Sequence, residues 1–147
     1  MPLDTSYAGH TYPPAPTYRV GREKIREFAE AIGATDPAYL DPEAARALGH
    51  PDVIAPPTFP IALTEWGIHR MIADPGLGFD FSRVVHGDQR FKYVRPVRAG
   101  DRLVCTTTIE EITSRVGNAF LTTRTDMVTD EGEPVLTAWT MFVVRGE

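Results

Sequence analysis

The chain has 147 residues, about one domain's worth, and its 42% hydrophobic and 24% charged residues are the make-up of an ordinary water-soluble protein. A net charge of -5 without any cluster of Lys and Arg speaks against a nucleic-acid or anionic-membrane surface. Cys105 is the single cysteine, which excludes an intrachain disulfide and a multi-cysteine metal site and favours a reducing, cytoplasmic setting.

No stretch has the pattern of a signal peptide or the length of a membrane span, and no repeat or low-complexity linker divides residues 1–147. One domain from end to end is the expectation. Residues 1 to 18 carry Pro13, Pro14 and Pro16 between Tyr12 and Tyr18, which disfavours helix and predicts an extended lead-in on the surface of the fold, its aromatics packed. From Arg22 to Ile32, the residues Ile25, Phe28, Ala29 and Ile32 recur at i, i+3, i+4 and i+7, one apolar stripe on a helix whose other face is charged. Gly33 stands where a helix C-terminal glycine belongs. Asp41 followed by Pro42 reads as the N-cap and first residue of a short second helix, with Glu43 suiting the helix dipole and Gly49 closing it. Pro51 to Pro57 is an irregular connector. Phe59, Ile61, Ala62, Leu63, Trp66, Ile68, Met71 and Ile72 then make a helix from about Thr58 to Ala73 that is apolar on most of its circumference, the pattern of a buried helix.

After the turn residues Asp74-Pro75-Gly76 and Gly78 the pattern changes to strands: Val84 to Val94, Leu103 to Ile112, Phe120 to Val128 and Val135 to Val144. Turn signals at Arg98-Ala99-Gly100-Asp101, Gly117-Asn118 and Asp130-Glu131-Gly132-Glu133 separate them. Three successive hairpin-like connections predict an antiparallel sheet. A long apolar helix preceding such a sheet is buried by lying across its inner face, so the fold class is α+β.

The segment Gly33-Ala34-Thr35-Asp36-Pro37-Ala38-Tyr39-Leu40-Asp41-Pro42-Glu43 resembles the signature of MaoC-like (R)-specific enoyl hydratases and dehydratases, Gly-Asp-x-Asn-Pro-x-His followed by a hydrophobic residue and often Asp-Pro-Glu. The likeness continues through REKIREFAEAIG, IAPPTFPIAL at the helix start, VVHGDQRFKYVRPVRAGDRL in the sheet and TAWTMFVVRG at the end. It is strongest to the small actinobacterial MaoC-like proteins described as the non-catalytic subunit of a (3R)-hydroxyacyl-ACP dehydratase. The resemblance implies one hot-dog domain over residues 1–147, of the dehydratase N-terminal type, in which a curved antiparallel sheet wraps a central helix. It also implies pairing of two such chains, an acyl-ACP or acyl-CoA thioester as ligand, and no cofactor.

In the register set by Gly33, Pro37 and Asp41-Pro42-Glu43, the family's catalytic Asp falls on Ala34, its Asn on Asp36 and its catalytic His on Tyr39. Dehydration of a hydroxyacyl thioester, or the reverse hydration, needs an acid-base group and a donor for the developing enolate oxygen. Ala34 cannot titrate, and Tyr39, with an ordinary pKa of about 10, is a poor base at neutral pH. Asp36 either replaces the lost carboxylate or is an Asx-turn residue before Pro37. In active relatives a glycine N–H at the start of the central helix meets the carbonyl, in a pattern like Ile-Ala-His-Gly; here Ile54-Ala55-Pro56-Pro57 stand there, and proline has no N–H. Thr58 is a partial substitute, and Pro57, Thr58, Phe59 and Ile61 are the candidate substrate-binding residues.

Elsewhere, His86 and Asp88 are two apart in a strand and would share a face if it were regular, which makes them a second acid-base candidate; otherwise they are a dimer contact or a solvated edge. Lys92, Arg95 and Arg98 either meet carrier phosphates or solvate the sheet. His10, His50 and His69 have no metal-ligand spacing. Three functions follow: a catalytically incomplete acyl-thioester-binding subunit paired with a catalytic hot-dog chain; a self-sufficient homodimeric hydratase or dehydratase using Asp36 or His86-Asp88; and a non-enzymatic thioester-binding module.

Overall fold

The computed structural model describes residues 2–146. Its elements are β1 (Tyr18–Arg19), α1 (Arg22–Ala31), α2 (Pro42–Ala47), α3 (Glu65–Ile72), β2 (Val84–Tyr93), β3 (Arg102–Arg115), β4 (Asn118–Thr129) and β5 (Pro134–Val144). Helix α1 buries Ile25 and Ala29 and ends as its glycine requires: Gly33 takes a φ of +71°, its N–H bonds to Glu30 O at 3.2 Å, and the Ala34 N–H reaches back to Ala29 O at 2.8 Å. Helix α2 repeats the device, capped by Asp41 at its start and closed by Gly49 at φ +93°.

The helix expected from Thr58 to Ala73 begins as a 3-10 turn, Phe59–Thr64, and becomes α-helical only in α3. The tight start is seen in its amides: Pro57 and Pro60 have no N–H, and the Phe59 and Ile61 amides bond three residues back, to Pro56 O and Thr58 O. The helix lies on the concave face of the sheet through Phe59, Leu63, Gly67 and Met71, all buried. It sits so close that a Cβ on Gly67 would run into the Thr107 side chain on β3. Contrary to the expectation of full burial, Ile61, Trp66 and Ile72 are each about 40% exposed in the chain by itself.

The five strands form one antiparallel sheet in the order β1-β3-β4-β5-β2. Two of the three expected hairpins form. The Arg98–Asp101 turn joins strands that do not pair, because β2 pairs with β5 and residues 94 to 101 carry the chain to the opposite edge. That crossing finds its hydrogen bonds outside the hairpin: Ala55 N–H to Val97 O, Ala99 N–H to Val53 O and Gly100 N–H to Val20 O, while Pro96 has no N–H to give. It is locked by Asp101, whose carboxylate takes both terminal nitrogens of Arg95 and the Arg98 N–H, each at 2.9 Å.

The N-terminal segment does more than lie on the surface. It runs antiparallel along the outer edge of β3, with Gly9, Tyr12 and Ala15 donating to Ile109, Thr107 and Cys105, and it buries Leu3, Tyr12 and Val20. Tyr7 and Tyr12 both donate to the Asp74 carboxylate at 3.0 Å, which clasps this segment to the end of α3. One sheet edge is therefore covered, and among the described residues the outer edge of β2 has no strand beside it. Among the described residues no helix is long and apolar enough to cross a membrane.

Candidate functional site

The motif turn is held by hydrogen bonds within itself and to the connector. Asp36 Oδ1 accepts from the Ala38 N–H at 2.9 Å and caps the short 3-10 turn Pro37–Tyr39, and the Ile54 N–H bonds to Ala38 O at 3.1 Å, tying the turn to the connector. Tyr39 packs, half-buried, against the core cluster that includes Phe59. Asp36 thus has the local geometry of an Asx cap, and Ala34 offers no chemistry beside it.

At the helix start the supply of amide donors is small. The Phe59 and Ile61 N–H groups are bonded within the turn, and Pro56, Pro57 and Pro60 have none, which leaves the exposed Thr58 as the one residue of this turn whose amide is not committed. Thr58 makes no capping bond through its side chain. Tyr93 closes the region from the sheet, its hydroxyl donating to Pro57 O at 2.6 Å. Burial, and next the neighbouring Tyr39, pushes the Tyr93 pKa up, so it stays a neutral donor at physiological pH. Of the four expected substrate-binding residues, Pro57 and Thr58 are exposed at this rim, and Phe59 is fully buried with its ring edge-on to Phe28 at 5.5 Å.

Ile61 belongs to a different feature, a cavity of about 400 Å³ between the helix and the β2–β5 side of the sheet. Its apolar wall includes Ala62, Ile68, Val84 and Phe142, and its polar residues include Glu65, His86, Gln89 and Thr140. A larger hollow, about 570 Å³, lies near Pro2, Asp80 and Ser114 and holds none of the motif residues.

The His86-Asp88 pair does not exist as a pair. The register slips between His86 and Asp88, with Gly87 as the extra residue, so His86 stands opposite the inward Phe142 while Asp88 stands opposite the outward Met141. His86 instead meets Gln89, three residues on, at 3.1 Å, and Gln89 accepts from Thr140 at 2.7 Å. Sequence reasoning missed Gln89, although counting back by twos from the inward Tyr93 and Phe91 reaches it. Arg95 is held by Asp101 and Glu133 and is not free to meet phosphate. Burial pushes the Cys105 thiol up to about 12, which leaves it protonated and unreactive. No group of three or more metal-ligating side chains lies together among the described residues.

The family model for the FAS1-like dehydratase domain region matches residues 6–138. A UPF0336 protein of Streptomyces griseus is 61% identical over 145 residues, covering 99% of this chain and 97% of that one, and a UPF0336 protein of Parafrankia is 44% identical over 146 residues, covering 99% and 97%. The crystal structure of the C-terminally truncated HadBC (3R-hydroxyacyl-ACP dehydratase) complex from Mycobacterium tuberculosis superposes with a TM-score of 0.85 at 34% identity, over 96% of this chain and 99% of that one. A structure described as a MaoC-like dehydratase gives a TM-score of 0.89 at 31% identity, over 96% of this chain but 43% of that longer one. The ChsH1-ChsH2 complex from the same mycobacterium, at 20% identity and a TM-score of 0.71, shares the fold. A curled five-stranded antiparallel sheet around a helix, a degenerate Gly-x-x-x-Pro turn and these matches together place the chain in the FAS1-like dehydratase-region family, on the MaoC-like hot-dog fold.

Proposed function

We propose that the chain is the acyl-thioester-binding, catalytically incomplete subunit of a cytoplasmic (3R)-hydroxyacyl-ACP or -CoA dehydratase of fatty-acid metabolism. In this reading residues 1–147 are one hot-dog domain, and a second hot-dog chain supplies the Asp and His. The observation that carries the proposal is the double loss in the site. The acid-base positions hold Ala34 and Tyr39, and the helix start commits or lacks every amide in its turn but that of Thr58. Losing positioned acid-base groups costs about two to four orders of magnitude in rate in comparable enzymes and losing an oxyanion donor about two to three, so both together describe a chain that contributes surface and binding rather than proton transfer. The open β2 edge, and relatives in structures described as two-component complexes, support pairing.

The test is hydration of crotonyl and longer enoyl thioesters by the purified chain, alone and co-expressed with a hot-dog protein carrying an intact Gly-Asp-x-Asn-Pro-x-His motif. Background rates alone and a rate raised by at least about a hundred-fold in the pair are expected. A robust rate from the lone chain, abolished by Asp36→Ala or His86→Ala, would establish a self-sufficient hydratase instead. Tight thioester binding with no rate in any pair would leave a binding module.

A further inference from the structure

Strand β5 is apolar on both of its faces. Toward the helix it sends Leu136, Ala138, Phe142 and Val144, all buried, and outward it sends Trp139, Met141 and Val143, which stay half-buried. The register sets Phe120 of β4 and Val85 of β2 on either side of Val143, so the outward apolar residues form one band across three strands. Burial alternates residue by residue along β4 and β5, buried against half-buried, so this outer face stays open to solvent while the inner one is packed. An antiparallel sheet whose outer face meets only water carries polar residues there, and a strand apolar on both faces is the pattern of a sheet covered on both sides. Trp, Met and Arg, the residues gathered here, are also the ones enriched at protein interfaces.

The charges beside the band say what fits it. Asp88 and Arg90 stand two apart on β2, opposite Met141 and Trp139, and both side chains are exposed. Neither forms an ion pair among the described residues; Arg90 instead lies over the Trp139 ring at 4.3 Å. Arg124, on the other side of Trp139, is already paired with Glu110 and Asp126, so the face carries both signs in near balance. A uniformly acidic or basic partner would meet a counter-charge on part of this face and a like charge on the rest. A surface with one unpaired charge of each sign beside an apolar row is matched by the same surface turned over.

We propose that this outer face is where a second copy of the chain docks, sheet on sheet, about a two-fold axis that crosses the strands between the Met141 and Trp139 rows. That axis sets Arg90 of each copy against Asp88 of the other, and Met141 of each against Trp139 of the other, an ion pair and a sulfur–aromatic contact each made twice. Aligned sheets packed about 10 Å apart leave room for such side chains to interdigitate. The face is distinct from the open backbone edge of β2, so a chain paired along that edge and a copy docked back to back can be held at once, an assembly of four chains. The inference goes beyond the subunit reading and stands or falls without it.

The experiment is sedimentation velocity on the purified chain from low to high micromolar concentration. The parent should associate. Asp88→Arg and Arg90→Asp each leave one sign of charge at the two positions, and each should weaken self-association by at least about ten-fold. Their equimolar mixture should recover it, because each copy then meets the opposite sign. Trp139→Lys should also weaken association, which separates this face from the β2 edge, since that side chain lies on the inner strand β5 and takes no part in edge pairing. Should that variant lose its sheet by far-UV circular dichroism, Met141→Lys puts the same question to the neighbouring row. A parent that stays monomeric throughout the range would overturn the proposal. So would single charge variants that associate as the parent does, a mixture that recovers nothing, or association indifferent to both lysine substitutions. None of these variants alters a residue of the motif turn or the helix start, so thioester binding and the subunit reading are unaffected by any of these results.

Discussion

Tyr93 and Pro57 show how single residues remake the motif region. The Tyr93 hydroxyl spends its donor on the Pro57 carbonyl, and Pro57 itself offers none, so a place that needs free N–H groups in a hydratase is here a closed polar contact. Backbone and chemistry come apart at this point: Gly33 holds its positive φ and Asp36 caps the turn whether or not a base is present. Restoring side chains should therefore rebuild only half a site. Ala34→Asp with Asp36→Asn and Tyr39→His places acid-base groups on a turn that is already formed, and the enolate oxygen still lacks its donor. Adding Pro57→Gly supplies that N–H, worth about 3 to 4 kcal/mol in comparable oxyanion sites, and costs about 1 kcal/mol of folding stability through a freer unfolded chain. Enoyl-thioester hydration by the quadruple variant should exceed that of the triple variant by about a hundred-fold or more. Equal rates would mean that the Thr58 amide already serves the carbonyl and that the helix start is chemically competent.

Among the elements, the central helix is set by one contact. Gly67 lies against Thr107, and Gly67→Ala would place a methyl where the stiff, β-branched Thr107 side chain now stands. Alanine gains about 1 kcal/mol of helix propensity, but overpacking a tight core costs about 1 to 3 kcal/mol, so the variant should be less stable by up to about 2 kcal/mol. Urea midpoints would measure this, with Thr107→Ala in the same chain expected to return most of the loss; a midpoint that rises on Gly67→Ala alone would show that helix and sheet separate at little cost. The same elements show what a sequence makes legible. The two glycine-closed helices, the proline-marked α2 and the β3–β4 and β4–β5 hairpins were readable because their signals are local: a cap, a φ-permissive glycine, a turn between alternating runs. The 3-10 start at Phe59 was hidden because apolar spacing does not tell a ladder of bonds three residues back from one of bonds four back. The pairing of β2 with β5 was hidden because the turn at Arg98–Asp101 looks like a hairpin, and only contacts with Val20 and Val53, far along the chain, show that it crosses the sheet. His86 and Asp88 share a face only in a regular strand, and which residues the slip at Gly87 turns inward depends on register with β5, so neither their separation nor the inward Gln89 follows from spacing alone.

For the molecule as a whole, the two edges of the sheet have opposite fates. The N-terminal segment satisfies the β3 edge, whereas β2 presents its outer backbone groups with Phe81 and Val85, 56% and 47% exposed, beside it and Ile61 nearby across the cavity. Singly exposed apolar residues are common, but several gathered along an unpaired strand form the kind of surface another chain covers. The subunit reading gives that surface a purpose, since a chain without its own acid-base groups must hold its ligand where a neighbour can reach the thioester. Phe81→Lys with Val85→Lys should disrupt this pairing. In a two-fold assembly each new charge meets its own copy, and in a mixed pair it is forced against an apolar counterpart, so the dissociation constant should rise by about a hundred-fold or more. Val116→Lys, at a 93% exposed turn position on another part of the surface, is the control and should leave association unchanged. Sedimentation velocity over a micromolar concentration range reads the outcome, with far-UV circular dichroism confirming that the doubly charged chain keeps its sheet. If that variant associates as the parent does, the open edge of β2 is not where the second chain sits, and the route by which a partner's acid-base groups approach the helix start has to be sought on another face.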